Sequence, residues 1–188
     1  AHIRRPWIRL LEHEMQLDQT TLRNLEVLKP VSEQRQSPTL LTTLDKTKTP
    51  MGTRLLRQWI VRPLTQVAPI QLRQEAVQEL VINLGLRMTV RDHLKSVQDL
   101  ERLNSRIVLE VANPRDLITL HRSLESLFSL HQILQGFQSA MLQTIYAAWD
   151  PLLDVSSWIV DSIIPNPPLS AKEGGILCEG VNAELDEL

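Results

Sequence analysis

Thr49-Pro50-Met51-Gly52-Thr53-Arg54-Leu55-Leu56-Arg57-Gln58-Trp59-Ile60 is the stretch on which the reading of this chain turns. Thr49 offers a hydroxyl that can accept from an orphan N–H at a helix start. Pro50 suits the first helical position, where its missing N–H is no loss. Met51, Leu55 and Trp59 then recur at i, i+4 and i+8, with Leu56 and Ile60 beside them. That pattern is one apolar stripe of an amphipathic helix, with Arg54, Arg57 and Gln58 turned away from it. The stripe predicts a core-forming helix in which Trp59→Ala would cost about 3–5 kcal/mol. Gly52, in the first turn, is worse than Ala by about 1 kcal/mol on propensity alone, which points to the close approach of another backbone. Arg62-Pro63 ends the helix, because the residue before a proline avoids the helical region.

Working outward, the same periodicity recurs. Asp18 is placed to cap a helix carrying Leu22, Leu25 and Leu28, stopped at Lys29-Pro30, and Thr39 to Leu44 reads as a further short helix. Pro69 lies early in a helix lined by Ile70, Leu72, Ala76, Val77, Leu80 and Val81, which Gly85 interrupts. Met88, Val90 and Leu94 then lead on to Val97-Gln98-Asp99-Leu100-Glu101-Arg102-Leu103. Asn113 caps the clearest helix, with Pro114 first and Asp116 third, near the positive end of the dipole. Its apolar series Leu117, Leu120, Leu124, Leu127 reaches His131 and Leu134. That seam is too short for a coiled coil and predicts packing within one domain. A helix from about Ala140 to Trp149 follows. Another is opened by Asp150-Pro151, runs through Leu152, Val155, Ile159 and Ile163, and is closed by Pro165-Asn166-Pro167-Pro168. The expected fold is predominantly all-α, with minor extended segments near residues 8–17 and 175–178 and a linker near 165–173. Asn182 and the acids after it begin a helix over 182–188. So short a helix does not sustain itself, which predicts a longer parent chain.

Composition narrows the function. The chain has 188 residues, 20 Lys+Arg against 22 Asp+Glu, and a net charge of −2, a poor match for gripping nucleic acid through a generally basic surface. A local basic cluster nevertheless exists: Lys46, Lys48, Arg54, Arg57 and Arg62 stand against the single acid Asp45. Of these, Lys46, Lys48, Arg54 and Arg57 are candidates to face a phosphate backbone, although charged faces are more often simply solvated. The segment from Lys172 is acidic and should not approach DNA unaided. A single cysteine, Cys178, excludes an internal disulfide framework, and no apolar run reaches the ~18 residues of a membrane span. The six glycines form neither common phosphate-binding pattern, no G-x-S-x-G is present, and the five histidines include no H-E-x-x-H. His121 and His131, ten apart on one helix, lie too far from each other to share a metal. An enzyme built on Asp99, Glu101, His121 or His131 is therefore the weaker hypothesis, beside a free-standing helical scaffold that binds partners.

Five segments, taken in order, resemble the core region of the MutS family of DNA mismatch repair proteins. They are Leu17-Asp18 with Leu22-Arg23-Asn24-Leu25-Glu26; Thr49 to Trp59; Asp99-Leu100-Glu101-Arg102; Pro114-Arg115-Asp116-Leu117; and Gly174-Gly175-Ile176 to Gly180 with Glu184-Leu185-Asp186-Glu187-Leu188. The resemblance covers nearly the whole chain. It implies that residues 1–188 form a helical core, or lever, domain between a connector and a clamp, with Leu188 near the start of a lever helix. It places the motif residues Thr49, Pro50, Met51, Gly52, Arg54, Leu55, Trp59, Asp99, Glu101, Arg102, Pro114, Arg115 and Asp116 in a structural role. It carries over no catalytic, cofactor-binding or metal-binding residue, since the family's mismatch-reading and ATPase domains lie elsewhere, and ATP and Mg belong to the latter. The expected role is allosteric: coupling ATPase state to clamping of mismatched DNA, with proline loops at Pro63 and Pro165–Pro168 as pivots. The partners implied are mismatched duplex DNA, the other MutS domains, a second MutS subunit and a MutL-type protein, in the cytoplasm. Some relatives share this core without being dedicated to mismatch repair.

Overall fold

A computed structural model describes residues 13–31 and 37–186. Among the described residues ten α-helices follow one another: α1 (Gln19–Asn24), α2 (Leu40–Leu44), α3 (Pro50–Val61), α4 (Val67–Ile82), α5 (Leu84–Ser96), α6 (Leu100–Val108), α7 (Pro114–Leu134), α8 (Ala140–Ala148), α9 (Leu153–Ser162) and α10 (Ala183–Asp186). The only β-type pairings among the described residues are the isolated antiparallel bridges Glu14–Leu64 and Ile163–Leu177. The protein is predominantly all-α, as its periodicity requires. Of the extended segment expected over 8–17, residues 8–12 lie outside the described residues, and the remainder is held by the bridge at Glu14.

Capping chemistry sets most helix starts. The Asp18 carboxylate accepts from the Thr21 N–H at 2.8 Å, and the Thr49 hydroxyl accepts from the Gly52 N–H at 3.0 Å. Thr39 and Thr42 form a reciprocal capping box around α2. Asn113 and Asp116 do the same at α7, where Pro114 occupies the first position. Ends are less faithful to the sequence. α1 stops at Asn24, well before Lys29-Pro30, because Glu26 takes up a left-handed conformation with φ of 49°. The α4–α5 break falls at Asn83, not at Gly85, which lies inside α5. α9 begins at Leu153, after Leu152 at φ of 52°. The Asp150 carboxylate accepts from the Leu152 N–H at 2.9 Å and makes that turn, so Asp150-Pro151 precedes the helix rather than opening it.

Two apolar clusters hold the body together. Ala76, Leu134, Phe137 and Leu142 join α4 and α8 to the end of α7, with Tyr146 and Trp149 packed alongside. Ile118, Ile159 and Ile163 join α7 to α9. At 21 residues α7 spans roughly 30 Å and is the spine, packing against α5, α6, α8 and α9. Its buried apolar face runs through Ile118, Leu124, Leu130 and Leu134, whereas Leu117, Leu120 and Leu127 of the expected seam are only half-buried. Helices on more than one side of α7 draw apolar residues from a wider arc than a two-helix seam would.

The Thr49–Ile60 stripe does not form the core. No residue of α3 is fully buried, Leu55 is 47% exposed, and Met51 and Trp59 are half-buried. The physical reason is position: α3 lies at the margin, packed chiefly beside the short α2, so its apolar face is not enclosed. Trp59 instead lies under the Arg73 guanidinium, 3.6 Å from the ring centroid. Gly52 is also explained differently from expectation. A Cβ there would stand 3.1 Å from Thr49 Oγ1 and 3.3 Å from Thr47 Cβ, so its own capping turn is the close neighbour, not a second backbone.

Candidate functional site: charged ties between the helices

Residues of separate sequence motifs meet where α3 approaches the start of α6. Arg54 projects from α3. Asp99 is the N-cap of α6, its Oδ1 accepting from the Arg102 N–H at 3.2 Å, and Glu101 occupies the first turn. The Arg54 guanidinium donates to both Asp99 oxygens at 2.8 and 2.7 Å and to Glu101 Oε2 at 2.6 Å. A planar fork matched to a carboxylate is the geometry in which Arg cannot be replaced by Lys without loss. Arg54 beside it lowers the pKa of Asp99 below the carboxylate range, despite some burial. Asp99 and then Glu101 in turn raise that of Arg54. Arg54 is thus held by two acids, which leaves Lys46, Lys48, Arg57 and Arg62, all exposed, as the remaining cations of the basic cluster. The acid among them, Asp45, turns inward to accept from the Thr47 hydroxyl at 2.6 Å and the Thr47 N–H at 2.9 Å.

The next tie runs from α6 to α7. Arg106 donates through Nε to Asp116 Oδ2 at 2.9 Å, and the same oxygen accepts from the Asn113 N–H at 2.8 Å. One carboxylate therefore closes the capping box of α7 and anchors α6. Met51 and Leu55 add apolar contact area at the margin, and Pro114 is buried at the start of α7. Arg115 Nε reaches the carbonyl of Pro167 at 3.0 Å and fastens the proline loop to α7.

Other ties had no local signature. Glu79 of α4 accepts from the N–H groups of Gln138 at 2.6 Å and Ser139 at 2.8 Å. It thereby caps α8, whose own N-cap Ser139 makes no side-chain cap bond. Burial pushes the Glu79 pKa up, but the Ser139 and Gln138 N–H groups outweigh it and hold the value below the usual 4.5. Ser123, fully buried on α7, donates to the Thr119 carbonyl at 2.9 Å and accepts from the Gln98 N–H at 3.1 Å, fixing the α5–α6 connection. Partners some 59 and 25 residues away leave no mark in local periodicity.

Of the candidates for chemistry, Asp99 and Glu101 hold Arg54, and the two histidines are apart from them and from each other. His131 stacks on Tyr146 with ring centroids 4.5 Å apart. His121 pairs through Nδ1 with Ser156 Oγ at 2.9 Å, and its Nε2 lies 3.5 Å from Glu125 Oε2. That order of groups resembles a nucleophile, a base and an orienting acid. The Ser156 residue is only 8% exposed, however, and an attacking hydroxyl must reach within ~3–3.5 Å of a substrate carbon. The trio joins α7 to α9. Among the described residues no group of three His, Cys, Asp or Glu could hold a metal ion, and no helix is long and apolar enough to cross a membrane.

Fold and site together define a multi-helix structural domain in which charged side chains join one helix to the next around a long central spine. The family of MutS domain III matches residues 20–187, and the chain belongs to that family. It is 40% identical over 187 residues to the DNA mismatch repair protein MutS of Caldicellulosiruptor bescii, covering all of this chain and 22% of that protein. It is 41% identical over 188 residues to the MutS of Ruminiclostridium cellulolyticum, again covering 22% of it. With the MutS of Pelotomaculum thermopropionicum the identity is 44% over 175 residues, 93% of this chain and 20% of the relative. The chain thus spans about a fifth of the length of the curated relatives it matches.

Proposed function

We propose that this chain is the structural and allosteric core of a MutS-type DNA mismatch repair protein, coupling the nucleotide state of an ATPase domain to the clamping of mismatched duplex. The observation that carries the reading is the series of ties Arg54–Asp99/Glu101, Arg106–Asp116 and Glu79–Gln138/Ser139. They join α3 to α6, α6 to α7 and α4 to α8, so a displacement at one margin is passed on by a body that does not deform. Coupling between remote sites amounts to ~1–3 kcal/mol, 5–150-fold in affinity, and a soft linkage would dissipate it. Arg115 on Pro167 and the loops at Pro63 and Pro165–Pro168 are the places where such a body would pivot.

In this reading the fragment performs no chemistry of its own. ATP and Mg bind in the ATPase domain of the longer protein. The partners are mismatched DNA, neighbouring MutS domains, a second MutS subunit and a MutL-type protein, and the location is the cytoplasm. Lys46, Lys48 and Arg57 are the residues that would face a DNA phosphate backbone. The test is the ratio of mismatched-duplex affinities with and without ATP in a full-length MutS protein carrying this chain. Arg54→Gln should shrink that ratio, whereas Arg57→Gln should weaken DNA binding in both states and leave the ratio alone. An unchanged ratio in Arg54→Gln, with folding intact, would refute the coupling role.

A further inference from the structure

α7 presents Arg115, Thr119 and Arg122 at i, i+4 and i+7, on one face of the helix. With Pro165, Asn166 and Pro167 that face bounds a cleft of about 400 Å³. Arg115 spends only Nε on Pro167, which orients its fork and leaves both terminal nitrogens without a partner among the described residues. Arg122 is exposed, and its guanidinium has neither a hydrogen bond nor an ion pair among the described residues. The Thr119 hydroxyl gives its proton to the Arg115 carbonyl at 2.7 Å, so it adds no donor to the cleft. No Asp or Glu lines the cleft among the described residues. This contrasts with Arg54 and Arg106, each of which has a carboxylate.

Two guanidinium groups bordering one cleft with no carboxylate in its lining repel each other and have several N–H donors to offer. We propose that the cleft is a binding site for a phosphate-class oxyanion, held between the Arg115 and Arg122 forks with the Asn166 amide as a further donor. A single carboxylate saturates one fork, whereas a tetrahedral dianion has acceptors enough for two. Free phosphate and the phosphate of a nucleotide share this chemistry. Because the Pro165–Pro167 loop forms one wall, an anion there would brace the loop against α7.

The test follows amide and Arg side-chain NMR signals of the chain during titration with inorganic phosphate, against chloride at matched ionic strength to remove screening. The expected result is saturable shifts confined to residues 115–122 and 165–168, with affinity falling roughly tenfold in Arg122→Gln. Arg91→Gln, on α5, should bind as before. The Arg122 side chain makes no bond among the described residues, so its replacement tests binding without disturbing structure, while Arg115→Gln would also release the loop. ADP producing the same shifts would assign the site to nucleotide phosphates; phosphate alone producing them would assign it to the free ion. Shifts that do not saturate, that chloride reproduces, that survive Arg122→Gln, or that only duplex DNA elicits would overturn the proposal.

Discussion

Replacing Glu79 by Ala removes the side-chain cap that α4 supplies to α8. The carboxylate accepts two backbone N–H bonds, at 2.6 and 2.8 Å, from a segment about sixty residues distant, and α8 carries no cap of its own. Loss of an N-cap costs about 0.5–2 kcal/mol, and loss of an anion at a helix N-terminus about 0.3–1 kcal/mol. Glu79 is half-buried, so solvent screening places the sum at about 1–2 kcal/mol. For a chain of this length each kcal/mol moves the midpoint of unfolding by about 2–4 °C, so a fall of roughly 2–8 °C is expected. Differential scanning calorimetry on Glu79→Ala, beside Glu75→Ala one turn away on α4 and exposed, reads the difference directly. pH provides a second readout. The folded pKa lies below the ordinary 4.5, so the unfolded chain binds more protons between the two values. The contribution is therefore complete above about pH 5 and disappears as the pH falls through the folded pKa. If Glu79→Ala and Glu75→Ala melt together, or the gap between Glu79→Ala and wild type persists well below the folded pKa, the capping argument is wrong.

Three further outcomes follow from the same geometry. Trp59→Ala should cost about 1–2 kcal/mol in thermal unfolding, less than a core tryptophan, because the ring is half-buried under Arg73; a loss above about 3 kcal/mol would restore it to the core. Asp116→Ala should lower stability by about 2–3 kcal/mol in urea unfolding, since it undoes both the α7 capping box and the Arg106 tie. A neutral result would make those bonds ornamental. Ser123→Ala should cost about 1–3 kcal/mol by leaving the Gln98 N–H without its acceptor, and hydrogen exchange at Gln98 should rise; unaltered exchange there would count against it.

Local signals carried the sequence reading far. Caps at Asp18, Thr49 and Asn113 are formed between residues three apart, so they are written within one turn of sequence, and each was legible, whereas Thr39, read as the first residue of α2, is its cap. Arg54, Asp99 and Glu101, from two motifs that sequence order keeps apart, meet in space. What stayed hidden depends on which faces lie opposite one another. An amphipathic stripe says that a helix has an apolar side, not that anything covers it, and α3 at the margin leaves Leu55 47% exposed. Glu79 and Ser123 read as an ordinary surface acid and a neutral serine, because their partners come from other elements. Helix ends were obscured where non-glycine residues such as Glu26 and Leu152 adopt left-handed backbone, which no glycine announces.

On the proposed function, this body would transmit motion by moving as one piece. Spin labels at the exposed positions Gln58 on α3 and Asn104 on α6 would bracket the Arg54 tie in a full-length MutS protein carrying this chain. Pulsed electron resonance should give one narrow distance distribution, the same with ATP, with mismatched duplex and with neither, and broadened only by Arg54→Gln. A distribution that is already broad in the unmutated protein, or that shifts with nucleotide, would mean that the domain yields internally and does not act as a rigid linkage.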